Sequence, residues 1–466
     1  MLAGAVRRTL DGVKTRVGLP WGQVTRGDHH DIWFDPSNGN RFAVAHDGGV
    51  GITTTRGKTW NRFQLPIAQM YHVTVDNRVP YFVYGNKQDG ESAMGPSNAK
   101  QGFFGTDVGI GRGEWRSVGG GESGWATPDT LDENLVWSSA SGSGSVGGIV
   151  TKYDVRTRNI REVEVWPQAT TGTPADSVKY RFQWTFPLTI SPFDRNTVYV
   201  GSQFVHRTTD GGNSWQVISP DLTRNDKSKQ KISGGLTPDN IGVEYGDVVF
   251  AIAESPLATG EIWPGTNDGI VQLTRDGGKS WSNVTAGMPG MLTWGTVSSI
   301  QRSRFTDGTA YVTVDGHQEN NRDPCVYKTT DFGKSWSLIV KGIPKSPLSY
   351  AHVIYEDPAR KGLLYLGTEN ALYVSFDDGA LWQPLQNDLP HAPVYGIVVQ
   401  PHFHDLVAAT CGPGVYILGD LTPRTHSPPA IAVETGPLPS PREQARLRAV
   451  FAPRPALPDP SRPRAQ

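Results

Sequence analysis

The octapeptide TTDGGNSW at 208–215 decides the fold, because close copies of it return along the chain. We call it the box motif. Its copies are TRDGGKSW at 274–281, TTDFGKSW at 329–336, SFDDGALW at 375–382 and a degenerate TTTRGKTW at 53–60, where Thr55 replaces the aspartate. A motif that recurs at intervals of tens of residues is the signature of a repeat architecture, in which each copy marks one structural unit.

The chemistry of the box motif is that of a tight turn. A short Asp side chain in a hairpin loop accepts hydrogen bonds from backbone amides further along the turn. A Gly two residues later adopts a left-handed conformation at low cost, and the Trp is expected to bury its ring against its own sheet. We therefore predict a structural and not a catalytic role for Asp210, Gly212, Trp215, Asp276, Gly278, Trp281, Asp331, Gly333, Trp336, Asp377, Gly379 and Trp382.

Segments typical of strands flank each box. Alternating aromatic and β-branched residues, as in 190–202 and 355–368, predict short strands joined by turns that contain Pro or Gly. Four antiparallel strands per unit make one propeller blade. The sequence thus predicts an all-β chain, a β-propeller of about seven and at most eight blades, near 29–64, 69–118, 121–166, 184–218, 247–285, 296–340 and 350–387, with a partial unit at 394–421. A single ring closed by terminal strands and a piece of a double propeller both fit.

Composition limits the classes of function. The 466 residues carry 44 Lys and Arg against 45 Asp and Glu, so no excess of charge indicates a nucleic-acid partner. No apolar run approaches the roughly 18–20 residues of a membrane span, and no apolar segment typical of a signal peptide follows Met1. Cys325 and Cys411 match no metal motif, and we expect no metal and no cofactor.

The chain divides into three parts by composition. We predict an N-terminal segment at 1–24, the propeller at 25–423 and a mostly disordered Pro-rich tail or linker at 424–466. The tail is rich in Pro, Arg and Ala and shows no strand pattern, which is typical of a segment without a packed core.

One set of acidic residues falls at equivalent places in the repeat. The residue eight positions before the box aspartate is predicted to lie in the turn between the second and third strands, at the end opposite the boxes. That position holds a carboxylate in four units, at Asp47, Asp268, Asp323 and Glu369, and a serine, Ser202, in the fifth. Carboxylates can bind a cation, a basic peptide or sugar hydroxyls, and two of them about 5–10 Å apart can cleave a glycosidic bond. The simpler alternative is turn chemistry alone.

Asp315 and His317 lie in a long loop, VDGHQENNRDP at 314–324, that is predicted at the same end. This loop either overhangs the central face or is an ordinary solvated loop. The predicted binding residues are therefore Asp47, Asp268, Asp315, His317, Asp323 and Glu369, of which the candidates for catalysis are Asp47, Asp268, Asp323 and Glu369.

Two other groups of polar residues are weaker candidates. His29 and His30 form a dense group with their Asp neighbours, but successive residues of a strand face opposite sides, so we do not expect them to share a metal ion. Asp89 and Glu122 lie beside Gly-rich segments.

On these motifs the chain resembles the bacterial Asp-box (BNR-repeat) propellers, of the kinds called glycosyl-hydrolase-like or Vps10/sortilin N-terminal-like. The resemblance covers roughly 25–423 and rests on the boxes and on strings such as VGGGESG (118–124) and YILGDLTP (416–423). It implies an extracytoplasmic protein, periplasmic or secreted, with a further propeller upstream, so we expect a fragment that covers the C-terminal propeller. Where the family has His-Gly-Arg near the closing string, this chain has Cys411-Gly-Pro, which puts a polar site there in doubt.

Three functions remain open on the sequence. The leading hypothesis is a non-catalytic or weakly catalytic propeller that binds a peptide, protein or glycan on the central face opposite the boxes. The alternative is a glycoside hydrolase of the xyloglucanase type, which needs half of its site from a partner propeller. The third is a degenerate structural fragment, which the degenerate first box favours. A sialidase is not expected, because the Arg-Ile-Pro string of that class is absent.

Overall fold

The computed structural model describes residues 7–9, 11, 14–15, 17–18, 29–63, 67–98, 110, 112–140, 147–234, 242–386 and 389–422. Within these ranges the protein is all-β, and its helical segments are three short 3-10 turns, Arg112–Glu114, Thr285–Gly287 and His317–Glu319. No helix in the described part is long and apolar enough to cross a membrane. The predicted tail at 424–466 and most of the segment 1–24 lie outside the described residues.

In the described part of the chain, eight sheets of antiparallel strands follow one another, and we label them A to H. Sheet A consists of His29–Phe34, Phe42–His46, Gly49–Thr53 and Asn61–Phe63, and sheet B of Ala68–Val75, Phe82–Lys87, Ser92–Pro96 and Arg116–Ser117. Sheet C consists of Ala126–Pro128, Leu135–Ala140, Ile149–Asp154 and Asn159–Glu162, and sheet D of Leu188–Ile190, Val198–Gly201, Val205–Thr208 and Gln216–Val217. Sheet E consists of Val249–Glu254, Ile262–Thr266, Gln272–Leu273 and Ser282–Asn283, and sheet F of Thr296–Arg302, Ala310–Asp315, Cys325–Thr329 and Ser337–Leu338. Sheet G consists of Ala351–Glu356, Leu364–Thr368, Leu372–Ser375 and Gln383–Pro384, and sheet H of Val394–Gln400, Asp405–Gly412 and Val415–Leu418. Arg7–Arg8 and Val17–Gly18 form a separate short pair.

Sheets B to H form a closed ring, so the protein is a β-propeller. Each sheet packs its first strand against the sheet before it, and apolar clusters fill the layers between neighbours. The ring closes where Cys411 and Gly412 of sheet H pair with Gln69 and Ala68 of sheet B. Sheet A lies outside this ring, although it has the same order of strands as the others. The single ring closed by terminal strands therefore begins at sheet B and not at residue 29.

The four boxes that contain the aspartate form the same turn. In sheet F, the Asp331 carboxylate accepts hydrogen bonds from the Ser335 backbone N–H at 2.9 Å and from the Thr329 hydroxyl at 2.8 Å. The Gly333 N–H donates to the Thr329 hydroxyl at 3.0 Å. These bonds to the charged form, the side-chain bond from Ser335 foremost, lower the pKa of Asp331 to about 2. The equivalent bonds are present around Asp210, Asp276 and Asp377.

The box tryptophans connect neighbouring sheets, which corrects the prediction that each ring packs on its own sheet. The Trp336 indole N–H donates at 2.9 Å to the Val284 carbonyl, which follows the last strand of sheet E. The same bond to the preceding sheet is made by Trp215, Trp281 and Trp382. A large ring at the start of the short fourth strand reaches past its own sheet, and its polar N–H needs an acceptor there.

The order of strands sets the two ends of the propeller. In an antiparallel sheet of four strands, the first and third connections lie at one end and the second connection at the other. The box turns are third connections, so they lie at the first end. The second connections and the starts of the first strands share the opposite end, and we call the channel opening there the mouth.

Candidate functional site

The centre of the candidate site is His352, at the start of sheet G. Its Nε2 lies 2.8 Å from a Glu369 carboxylate oxygen, and its Nδ1 lies 3.6 Å from an Asp315 oxygen. His317 binds the same Asp315 through Nδ1 at 2.7 Å. The His352 side chain is only 3% exposed, whereas Asp315 and Glu369 are 11% and 20% exposed. Two carboxylates therefore keep one oxygen edge near solvent while a buried imidazole holds them in place.

Aromatic rings enclose this group. The Tyr395 ring stacks on His352 with 4.1 Å between centroids, and the Tyr350 ring stacks on His317 at 5.0 Å. Burial, and then the nearby Glu369, raise the pKa of both tyrosines, so both hydroxyls stay protonated. The hydrogen bond that His317 donates to Asp315 raises the pKa of His317 above its usual value. We call Asp315, His317, Tyr350, His352, Glu369 and Tyr395 the mouth cluster.

A second group of polar residues lies on the other side of the point where the ring closes. Glu122 accepts hydrogen bonds from the Gln88 side chain at 3.0 Å and from the Asp89 N–H at 3.3 Å. Gln88 also accepts a hydrogen bond from the Tyr71 hydroxyl. Burial, followed by Cys411 and Glu122, raises the pKa of Tyr71, and burial with Glu369 raises the pKa of the Cys411 thiol. Cys411 thus lies between the two groups.

An aromatic residue lies within four residues of the start of the first strand in every sheet of the ring. This set is Tyr71, Trp125, Trp184, Tyr245, Trp294, Tyr350 and Tyr395. Trp184 also carries a carboxylate at its edge, because its indole N–H donates to Glu244 at 3.3 Å. Sequence reasoning missed this set, as well as His352. Aligning the first strands by their pairing places His352 and Tyr395 at the same unpaired position, and this is the signal that could have found those two residues.

Asp47 lies in sheet A but reaches the ring. Its carboxylate contacts the His30 imidazole within sheet A and the Asp89 side chain of sheet B. Burial, and then the contact with Asp47, raise the pKa of Asp89, as expected when two carboxyl groups share a proton. His30 therefore contacts the Asp47 carboxylate that also contacts Asp89.

The structure does not place Asp268 at the mouth cluster. Its side chain is fully buried, and it accepts hydrogen bonds from the Thr266 hydroxyl and, at 2.6 Å, from the Arg224 N–H. Burial raises its pKa to about 6, and the neighbouring Asp247 carboxylate adds to the shift. The register of the repeat located the turn correctly, but the segment around Arg224 covers it. Asp268 is therefore a buried turn residue that lies outside the mouth cluster.

Asp323 is also absent from the mouth cluster. It forms an exposed ion pair with Lys345 at 2.5 Å, with half of its side chain in solvent. The residues described by the structure contain no group of three His, Cys, Asp or Glu side chains that could hold a metal ion.

The His352 ring separates the two carboxylates of the mouth cluster. The two contacts and the width of one imidazole bring the Asp315 and Glu369 oxygens within about 10 Å, a separation near that of a glycosidase pair. A glycosidic bond must, however, lie between the two carboxyl groups. The buried His352 ring fills that space, so the pair presents acceptors to a ligand on one side only.

The fold defines the class of protein, a β-propeller with an aromatic and acidic mouth. No protein-family model matches the chain. A segment of 132 residues, 28% of this chain, is 28% identical to the oligoxyloglucan-reducing end-specific xyloglucanase of Emericella nidulans, and it spans 15% of that protein's length. Among solved structures, YCF48 bound to D1 peptide covers 87% of this chain at 13% identity with a TM-score of 0.40. YCF48 from Cyanidioschyzon merolae covers 86% of this chain at 13% identity with a TM-score of 0.37. Likeness at this level carries no information about the ligand.

Proposed function

We propose that this protein is a non-catalytic binding propeller whose ligand lies on the mouth cluster. One observation carries the proposal: the partly exposed Asp315 and Glu369 carboxylates lie beside the half-buried ring of Tyr395, with the buried Tyr350 ring behind them. Carboxylates accept hydrogen bonds from hydroxyl, amide or ammonium groups, and aromatic rings supply flat apolar surface with a polar edge. Among a peptide, a protein and a glycan, this combination favours a glycan.

A glycoside hydrolase is the second candidate, and the segment similar to a xyloglucanase favours it. On this chain alone the arrangement speaks against hydrolysis, because His352 fills the space between the two carboxylates. A hydrolase would therefore need its second carboxyl group from a partner propeller across the mouth.

The wider setting of the protein is also a proposal. The box turns support membership of the Asp-box propellers, whose resemblance implies a periplasmic or secreted location. Fractionation of the source cells, with immunodetection of the chain, tests that location: recovery in the cytoplasmic fraction would contradict it.

Isothermal titration calorimetry against a panel of oligosaccharides and peptides tests the binding function. We expect an oligosaccharide to bind the wild-type chain. Tyr395→Ala and Glu369→Gln should each weaken this binding about tenfold or more, because they remove a stacking ring and a charged acceptor. Asp323→Asn is the matched control, since that carboxylate lies outside the mouth cluster, and it should bind like the wild type. A folded protein that binds nothing in the panel would support the structural-fragment hypothesis.

A further inference from the structure

The aromatic rings of the mouth cluster continue around the channel into sheets B and C. In sheets G and H the pairing of the first strand skips one residue, and the residues just before pairing resumes are His352 and Tyr395. The first strand of sheet B has the same irregularity between Met70 and Val73, and there His72 is the residue just before pairing resumes. His72 is therefore the equivalent of His352 and Tyr395 in the next sheet of the ring.

Sheets H and B approach each other closely at this point. A Cβ on Gly396, the residue after Tyr395, would lie 3.2 Å from the His72 Cα, so the glycine lets the two first strands come together. The His72 ring in turn packs against the Trp125 indole, edge to face, with 3.8 Å between the ring centroids. Four rings thus follow one another on the successive sheets G, H, B and C: His352, Tyr395, His72 and Trp125.

Two polar atoms of the His72–Trp125 pair are buried without a partner. Among the described residues, neither the His72 Nδ1 nor the Trp125 Nε1 has a hydrogen-bond partner. A buried donor or acceptor that stays unpaired destabilises a folded protein, so such atoms in a native chain call for a partner. Both side chains are only half-buried. Because rotation about the Cβ–Cγ bond exchanges the two edges of an imidazole, a ligand at this ring can bond either nitrogen.

The chemistry of the pair selects an uncharged ligand group. Burial alone lowers the pKa of His72 to about 3, so the imidazole is neutral at physiological pH. A neutral imidazole offers one N–H donor and one acceptor, and an indole offers a donor only. A hydroxyl group, which both donates and accepts, matches this pair.

We propose that His72 and Trp125 form a second subsite for an oligosaccharide, at which the hydroxyl groups of a further sugar unit bond the imidazole and the indole N–H. This inference rests on the proposed binding function of the mouth cluster. Packed sheets lie about 10 Å apart, so a ligand that stacks on Tyr395 reaches His72 only if it is longer than one sugar ring. The subsite therefore favours a chain of sugars over a monosaccharide.

Isothermal titration calorimetry of the full chain with oligosaccharides of increasing length tests the subsite. His72→Phe and Trp125→Phe keep a ring and remove the polar atoms. Each should weaken binding of the longest oligosaccharides about fivefold or more and leave the shortest one that binds unchanged. Without ligand, neither variant should melt below the wild type, because no hydrogen bond within the described residues is lost.

Trp137→Phe is the matched control in sheet C. Its indole nitrogen also has no partner among the described residues, but the side chain is fully buried between sheets C and D. This variant should bind every oligosaccharide like the wild type. An affinity loss equal to that of Trp125→Phe would overturn the subsite, because it would show an effect of packing and not of contact.

The same titrations separate the subsite from the proposed function. Binding that Glu369→Gln weakens, but that both subsite variants leave unchanged at every length, would overturn the subsite alone. A wild-type chain that binds no oligosaccharide would overturn the proposed glycan ligand and the subsite with it. Circular dichroism identifies a misfolded variant, and the other subsite variant then decides the question.

Discussion

Between about pH 4 and pH 7 one buried carboxyl group, Asp268, should lower the stability of the propeller. Its folded-state pKa is about 6 against an ordinary value of 3.8, because burial disfavours the charged form and Asp247 lies beside it. Over this range the folded state holds a proton that the unfolded state has lost. The contribution of Asp268 to stability is therefore fully present below about pH 4 and is lost as the pH rises through about 6.

The size of the effect follows from the shift. About two pKa units at 1.36 kcal/mol per unit give about 3 kcal/mol of stability lost between pH 4 and pH 7. Asp268→Asn carries no titratable proton, and its amide oxygen still accepts from the Arg224 N–H. The variant should therefore gain about 3 kcal/mol relative to the wild type over the same range.

Urea unfolding of the two proteins at several pH values measures this difference directly. Asp276→Asn is the control in the same sheet, because its pKa is lowered to about 2 by hydrogen bonds, the side-chain bond from Ser280 foremost. Its stability difference from the wild type should not change between about pH 5 and 7. Parallel curves for the wild type and Asp268→Asn would refute the reasoning, and so would a difference of the opposite sign.

Three further changes test the structural account, each by thermal or urea unfolding. Glu261→Gln should cost about 3–5 kcal/mol, because it leaves the buried Arg302 guanidinium without its carboxylate; a loss near zero would contradict a buried ion pair. Trp336→Phe should cost about 1–3 kcal/mol, since the Val284 carbonyl loses its indole donor, and an unchanged protein would remove the link between sheets E and F. Thr55→Asp restores the box aspartate of sheet A and should raise the melting temperature; a decrease would show that this turn differs from the others.

The fold could be predicted from the sequence to the extent that it is local. The box is a turn whose bonds join residues at most four apart, as between Asp331 and Ser335, so the motif alone defines it. The position of sheet A could not be predicted in this way, because pairing of Cys411 with Gln69 closes the ring across most of the chain. The preceding-sheet acceptor of Trp336 is likewise a contact between units.

For the candidate site too, local features could be predicted from the sequence and contacts between units could not. Counting from the box located Glu369 and Asp268 at equivalent turns, but the count contains no information on burial. Glu369 lies at the mouth, whereas Asp268 is covered by the segment around Arg224. His352 and Tyr395 were missed because a His or Tyr among the apolar residues of a first strand has the pattern of a core position. Their role depends on carboxylates that other connections bring to them.

The central claim, binding without turnover at the mouth cluster, is tested most directly by one assay. The wild-type chain is incubated with the oligosaccharide that binds best, and newly formed reducing ends are counted beside a Glu369→Gln sample. The account predicts binding and no release of reducing ends above the rate of the variant. Release by the wild type that Glu369→Gln abolishes, with folding intact, would contradict it and make the protein a glycoside hydrolase.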